Sequence, residues 1–130
     1  MNLKIITHNR TIFDGKVDEI QVSGISGNLG VLPGRQPITT PLAIGVTKTI
    51  INGNAHYYAT MGGVFQFSED NAVILTNACE AESDIDIRRA EESKARAEER
   101  LAKVEVQTDV SRAEMALARA MTRLKAVNHE

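Results

Sequence analysis

Arg89 and Arg96 stand seven residues apart, and Arg119 and Arg123 stand four apart. On an α-helix the first pair lies within ~20° of one face, and the second pair shares a face outright. Asp86 precedes Arg89 by one turn. If the two segments fold back on each other antiparallel, the end of the second lies beside the start of the first. Four guanidinium groups then surround one point, with Asp86 and Glu80 nearby. Forked guanidinium donors suit a phosphate-type oxyanion better than lysine does. Glu91, Glu92, Glu98 and Glu99 are interleaved with these arginines, and they support the opposite reading, a solvated face of i,i+4 ion pairs of ~0.3–0.5 kcal/mol each. Spacing alone leaves both open.

No other chemistry competes. His8, His56 and His129 are isolated from any carboxylate or cysteine at metal-ligand spacing, and they read as ordinary surface or edge histidines. Ser23, Ser26 and Ser68 lack a nucleophile-elbow context. With no nucleophile, metal set or general base assembled, the sequence argues against a stand-alone enzyme and implies no catalytic cofactor. The single cysteine, Cys79, excludes an internal disulfide and suits a reducing compartment. Beside Val73-Ile74-Leu75 it reads as a buried strand residue.

The arginines belong to a segment unlike the one before it. Up to Ser83 the chain is a series of short apolar stretches broken by glycine, proline and asparagine; beyond it neither glycine nor proline occurs. Of 15 basic residues, five lie in positions 1–83 and ten follow. Such a break predicts two units, a β-domain over 1–83 and a helical hairpin over 84–130. A net charge of −2 provides no whole-molecule field toward nucleic acid or membrane. No apolar run approaches the ~20 residues of a membrane span, and Met1–His8 has neither signal nor transit character. These features predict a cytosolic chain, held at a membrane only through partners.

In the second unit Ser83, with Asp86 three positions later, satisfies a capping box, and Asp84 and Asp86 suit the positive end of a helix dipole. The pattern predicts a helix to about Val104 and a break at Gln107-Thr108-Asp109. A second capping box at Ser111–Glu114 then opens a helix to about Val127. Ala113, Leu117, Ala120, Leu124 and Val127 form a 4-3-4-3 seam, and Ala90, Ala97, Leu101 and Val104 a weaker matching stripe. A seam so rich in alanine buries little area at ~25 cal/mol per Å², which predicts a hairpin able to open.

The first unit predicts eight to ten short strands in a sandwich or barrel. Leu42/Ile44/Val46 and Ala55/Tyr57/Ala59/Met61 alternate with the period of half-buried strands. Turn signals fall at Asp14-Gly15, Gly27-Asn28, Pro33-Gly34, Asn52-Gly53, Gly62-Gly63 and Glu69-Asp70-Asn71, and Asn52-Gly53 is the strongest, a type I′ hairpin. The loop Gly27–Pro37 carries Leu29, Val31 and Leu32, which either tuck into the core or present an apolar docking patch.

Taken whole, the chain resembles the epsilon subunit of the bacterial F-type ATP synthase. The likeness rests on the Gly30-x-Leu32-Pro33-Gly34-x-x-Pro37 loop, the Gly62-Gly63 turn and the Ala/Arg-rich hairpin. It implies a ten-stranded all-β sandwich followed by an antiparallel two-helix hairpin. It also implies a non-catalytic place on the central rotor stalk, on the cytoplasmic side of the cell membrane and peripheral to it. The implied partners are the gamma subunit, the c-subunit ring, and the alpha and beta subunits of the catalytic head. Ile85-Asp86-Ile87-Arg88-Arg89-Ala90 matches the I/L-D-x-x-R-A motif with which epsilon subunits of bacilli bind ATP. By that resemblance Ile85, Asp86 and Ala90 contact the adenine or its sugar, and Arg89, Arg96, Arg119 and Arg123 hold the phosphates, with Glu80 contributing. ATP is then a regulatory ligand, and opening of the hairpin inhibits hydrolysis through contacts of Arg112, Arg119, Arg123 and Lys125 with the beta subunits. Asn28, Leu29, Val31 and Arg35 are expected at the c ring. Arg35 stands where histidine is frequent in the family, and Asn28 where some relatives carry an acid. The alternative is a purely structural stalk subunit that binds no nucleotide.

Overall fold

A computed structural model describes residues 1–105 and 108–130; Gln107, one residue of the expected helix break, lies outside them. Eight strands precede two helices: β1 (Asn2–Ile6), β2 (Thr11–Lys16), β3 (Glu19–Gly24), β4 (Gly27–Val31), β5 (Ile38–Ile51), β6 (Asn54–Ser68), β7 (Asn71–Leu75), β8 (Cys79–Ala81), α1 (Ile87–Ala102) and α2 (Val110–Val127). The sandwich followed by two helices is the architecture expected from the sequence, with eight strands among the described residues where the resemblance implied ten.

The long hairpin of β5 and β6 organises the sandwich. Asn52 and Gly53 take φ of 52° and 81°, the two positive values that a type I′ turn requires. Strand order is β2-β1-β7-β6-β5-β3-β4, with β8 pairing β6 off this path. β6 pairs β7 through Val64–Ser68 and β8 through Tyr58–Thr60. Gly62-Gly63 lies between these stretches, within a strand and not at the turn expected there. Both residues have positive φ, and a Cβ on Gly63 would fall 2.0 Å from the Leu75 carbonyl oxygen. The pair is therefore a bend where β6 changes partners. Asp14-Gly15, expected as a turn, is likewise ladder, with Gly15 opposite Leu3.

This bend also divides the β5 alternation. Leu42 joins the main core with Leu3, Ile5, Ile20, Val22, Val31, Phe65, Phe67 and Ile74, whereas Ile44 and Val46 pack on a second cluster of Ala59, Met61, Ile85 and Ala126. The second cluster is the bed on which α2 lies. α2 packs on β5 and β6 on one side and on α1 on the other. Two stripes serve these contacts: Ala113 and Ala120, in step with Ala90 and Ala97 of α1, and Thr122 and Ala126 toward the sheet. The single seam read from the sequence missed the second stripe.

Both helix starts lie further along or earlier than the capping boxes suggested. Asp86, not Ser83, caps α1, its Oδ1 accepting from the Arg89 backbone N–H at 3.0 Å. Glu82–Asp84 form a separate 3₁₀ turn. Asp109, not Ser111, caps α2 through the Arg112 N–H. In each case an aspartate with extended backbone angles sits three residues before the N–H it accepts, as good a cap as serine.

Candidate functional site

Where β8, the start of α1 and the middle of α2 meet, a cavity of about 450 Å³ opens, within the ~300–1,000 Å³ of small-molecule sites. Glu80 enters from β8, Asp84 and Asp86 from the approach to α1, Arg89, Ala90 and Ser93 from α1, and Ala116, Arg119 and Arg123 from α2. Capping by Asp86 fixes where α1 begins and so where Arg89 projects. Arg123 Nε donates to Glu80 Oε1 at 2.6 Å, with both side chains about 70% removed from water (28% and 31% exposed). That pair ties the sandwich to the hairpin. Glu80 was thus correctly drawn to the arginines from the sequence, though 43 residues separate it from Arg123.

The convergence is narrower than spacing suggested. Three arginines line the cavity. Arg96 stands outside it, its Nη2 donating to Ser93 Oγ at 3.1 Å. Seven residues advance the helix by about 10 Å along its axis, which carries Arg96 past the cavity although it shares the face of Arg89. Ile85 is 8% exposed and belongs to the packing between α2 and β6, so its side chain is engaged away from the cavity wall. Ala90 is buried yet reaches that wall. The lining is also charge-balanced: Glu80, Asp84 and Asp86 face Arg89, Arg119 and Arg123. Exposed i,i+4 ion pairs do exist, at Arg88–Glu92, Lys94–Glu98 and Lys103–Glu99, but among the described residues none of them uses Arg89, Arg96, Arg119 or Arg123, the arginines for which the competing reading expected them.

The remaining candidates scatter. Arg112 is exposed near the start of α2, and Lys125 faces the opposite flank of that helix beside Lys48 and Tyr57. Within β4, Asn28 is exposed and Leu29 packs partly on the core, and in the loop that follows, Arg35 is half-buried. Val31 is 0% exposed and fills the core, so it is withdrawn from the docking surface; Leu32, 59% exposed, is the apolar side chain that the loop presents. Both fates weighed for the loop are realised, one by each neighbour. Pro33-Gly34 is pinned by the Gly34 N–H donating to Asp70 Oδ1 at 2.8 Å. His129, read as isolated, is not: its ring stacks on Tyr57 and its Nε2 lies 2.6 Å from Glu82 Oε2.

Comparison with known proteins decides the family. The ATP synthase delta/epsilon chain β-sandwich domain matches residues 1–82, and the long α-helix domain of the same chain matches residues 83–128. The chain belongs to the ATP synthase delta/epsilon family, as an F-type epsilon subunit. Among similar epsilon subunits, the chloroplastic ATP synthase epsilon chain of Pinus koraiensis is 40% identical over 105 residues, covering 81% of this chain and 77% of that one. The ATP synthase epsilon chain of Pelotomaculum thermopropionicum is 42% identical over 101 residues, covering 78% and 75%. A chain of the Euglena gracilis mitochondrial ATP synthase, in a structure of OSCP, F1 and the c-ring, superposes with a TM-score of 0.83 over 98% of this epsilon subunit and 80% of that chain. At 21% identity that likeness speaks for the fold alone. Among the described residues, no helix is long and apolar enough to cross a membrane.

Proposed function

We propose that this epsilon subunit is a non-catalytic element of the central stalk, peripheral to the membrane on its cytoplasmic side, whose hairpin is a nucleotide-sensitive brake on ATP hydrolysis. Placement on the stalk is supported by the solved relatives of the same fold, one of them from a Tetrahymena thermophila central stalk and c-ring assembly. Leu32, Leu29, Asn28 and Arg35 are the side chains proposed to meet the c ring; the gamma subunit and the alpha and beta subunits are the other partners.

One observation carries the brake: Arg89, Arg119 and Arg123, from two helices, line one cavity with a residue of the sandwich. Their forked donors fit a polyphosphate, which at this place would be held by α1, α2 and β8 together. A ligand bound only when these three are assembled stabilises the closed hairpin, by ~2.7 kcal/mol at 100 times its dissociation constant. Repulsion among bare arginines is not the opening force, because the acids of the cavity balance them and Glu80 already pairs with Arg123. Opening instead follows from the shallow alanine packing, and it frees Arg112, Arg119, Arg123 and Lys125 for acidic partners on the beta subunits.

Isothermal titration with ATP, with and without magnesium, tests the site. The expected result is binding by the wild type, a loss of at least ten-fold for Arg89→Ala/Arg119→Ala, and a much smaller loss for Arg96→Ala. Absence of binding by the wild type would leave the structural stalk subunit as the function.

A further inference from the structure

α2 ends in a turn whose geometry is normally made by glycine. The Glu130 N–H donates to the Lys125 carbonyl at 2.9 Å and the His129 N–H to the Ala126 carbonyl at 3.3 Å, the paired bonds of a Schellman motif. His129 occupies the left-handed position, with φ of 61°, where a side chain is disfavoured and glycine is preferred. A histidine there is worse for the turn itself, so its presence asks for a reason outside the turn. The ring supplies two. It stacks on Tyr57 of β6 at 4.6 Å between centroids and 8° between planes. Its Nε2 lies 2.6 Å from Glu82 Oε2, an oxygen withdrawn from water that has no aligned hydrogen bond among the described residues. Lys48 Nζ stands 5.8 Å from the same tyrosine ring, and Lys48, Tyr57 and His129 share a cavity with Thr122 and Lys125, separate from the arginine cavity.

We propose that His129 is a latch that holds the hairpin shut independently of the nucleotide site. The left-handed turn throws the imidazole back off the helix axis onto the sandwich, and both of its contacts exist only while α2 is docked. The inference rests on the hairpin being able to open, but not on ATP being the ligand. Hydrogen exchange on the full chain without nucleotide tests it. His129→Gly is the decisive variant, because it improves the turn and removes the ring. If His129 is a latch, the amides of the last two turns of α2 exchange about five-fold faster in His129→Gly, with β1 and β7 unchanged. Tyr57→Ala does the same, and Tyr57→Phe, which keeps the ring, stays like the wild type. If His129 only ends the helix, His129→Gly leaves those amides unchanged or slows them, and the latch is overturned. ATP titration of the wild type separately decides the nucleotide reading, so either idea can fail without the other.

Discussion

Phe65, Phe67, Leu3, Ile5 and Ile74 fill the sandwich at 0–1% exposure, and Ala90, Ala97, Ala113, Ala120 and Ala126 fill the contacts of the hairpin at 0–3%. Burial is equally complete in the two regions, but the buried side chains differ several-fold in size. A fully buried leucine, isoleucine or phenylalanine contributes about 1.5–3 kcal/mol, against about 0.8 kcal/mol for each buried methylene-sized group. The sandwich is accordingly a body that holds its shape, and the hairpin an appendage held by shallow packing and by a few contacts between charged or aromatic groups: Arg123 with Glu80, and His129 with Tyr57 and Glu82. Completeness of burial is thus a poor guide to strength of attachment. Area and the chemistry of the contact set it, and in this molecule they leave the arginine-bearing element as the more shallowly packed of the two.

That contrast can be broken most severely in the sandwich. Phe65→Ala is expected to remove roughly 3–5 kcal/mol and to lower the whole melting transition, the hairpin included, when unfolding is followed by circular dichroism. Ala120→Leu should instead overpack the hairpin by about 1–3 kcal/mol. Proteolysis would then cut near the helices in the native protein while the sandwich melts as before. A joint collapse in that variant would mean that the two regions form one cooperative unit.

The weakest test uses pH. Burial pushes the Cys79 thiol up to about 11, with the Glu80 charge adding to the rise and Thr60 and Arg10 opposing it. Burial also raises Tyr58, helped by the charges of Cys79 and Glu82. An acid whose folded form holds its proton longer stabilises the fold below its unfolded value. That stability is lost as pH climbs from about 9 toward 11, on the order of 1–2 kcal/mol for Cys79. Urea unfolding at pH 8 and pH 10.5 should show the fall, shallower in Cys79→Ala with Tyr58 still contributing. At pH 8 the thiol should resist alkylation in the native protein, since the thiolate is the nucleophile; rapid labelling there would show that the sandwich opens as readily as the hairpin.

Local signals were legible wherever the physics is local. Asn52-Gly53 announced its hairpin because only a few residues tolerate two consecutive positive φ values, and the alanine-rich period announced both helices. Ser83 and Ser111 each head a capping box, so the pattern points to them while Asp86 and Asp109 are the caps in the fold; composition does not rank two adequate caps three or two residues apart. Gly62-Gly63 looked like a turn because glycine marks a backbone need without saying which. Here the need is the close approach of the Leu75 carbonyl to a bent strand. Arg89, Arg119 and Arg123 were readable from helical spacing, whereas the loss of Arg96 depended on how far two helical turns, about 10 Å, carry it along α1 past the cavity, and on Ser93 catching its guanidinium.

By itself, then, the sequence determined a β-sandwich carrying a two-helix hairpin, an epsilon-type motif, and arginines on facing helical surfaces. Those properties follow from periods of two and 3.6 residues and from short motifs, all expressed within a few turns of chain. Tertiary structure alone decided which side chains meet. It buried Val31 and left Leu32 outside, set Glu80 against Arg123, lent α2 a second stripe for the sheet, and brought His129 to Tyr57 and Glu82. Each of these joins residues distant in the chain or turns on the exact path of a bend, and a linear pattern holds no record of either.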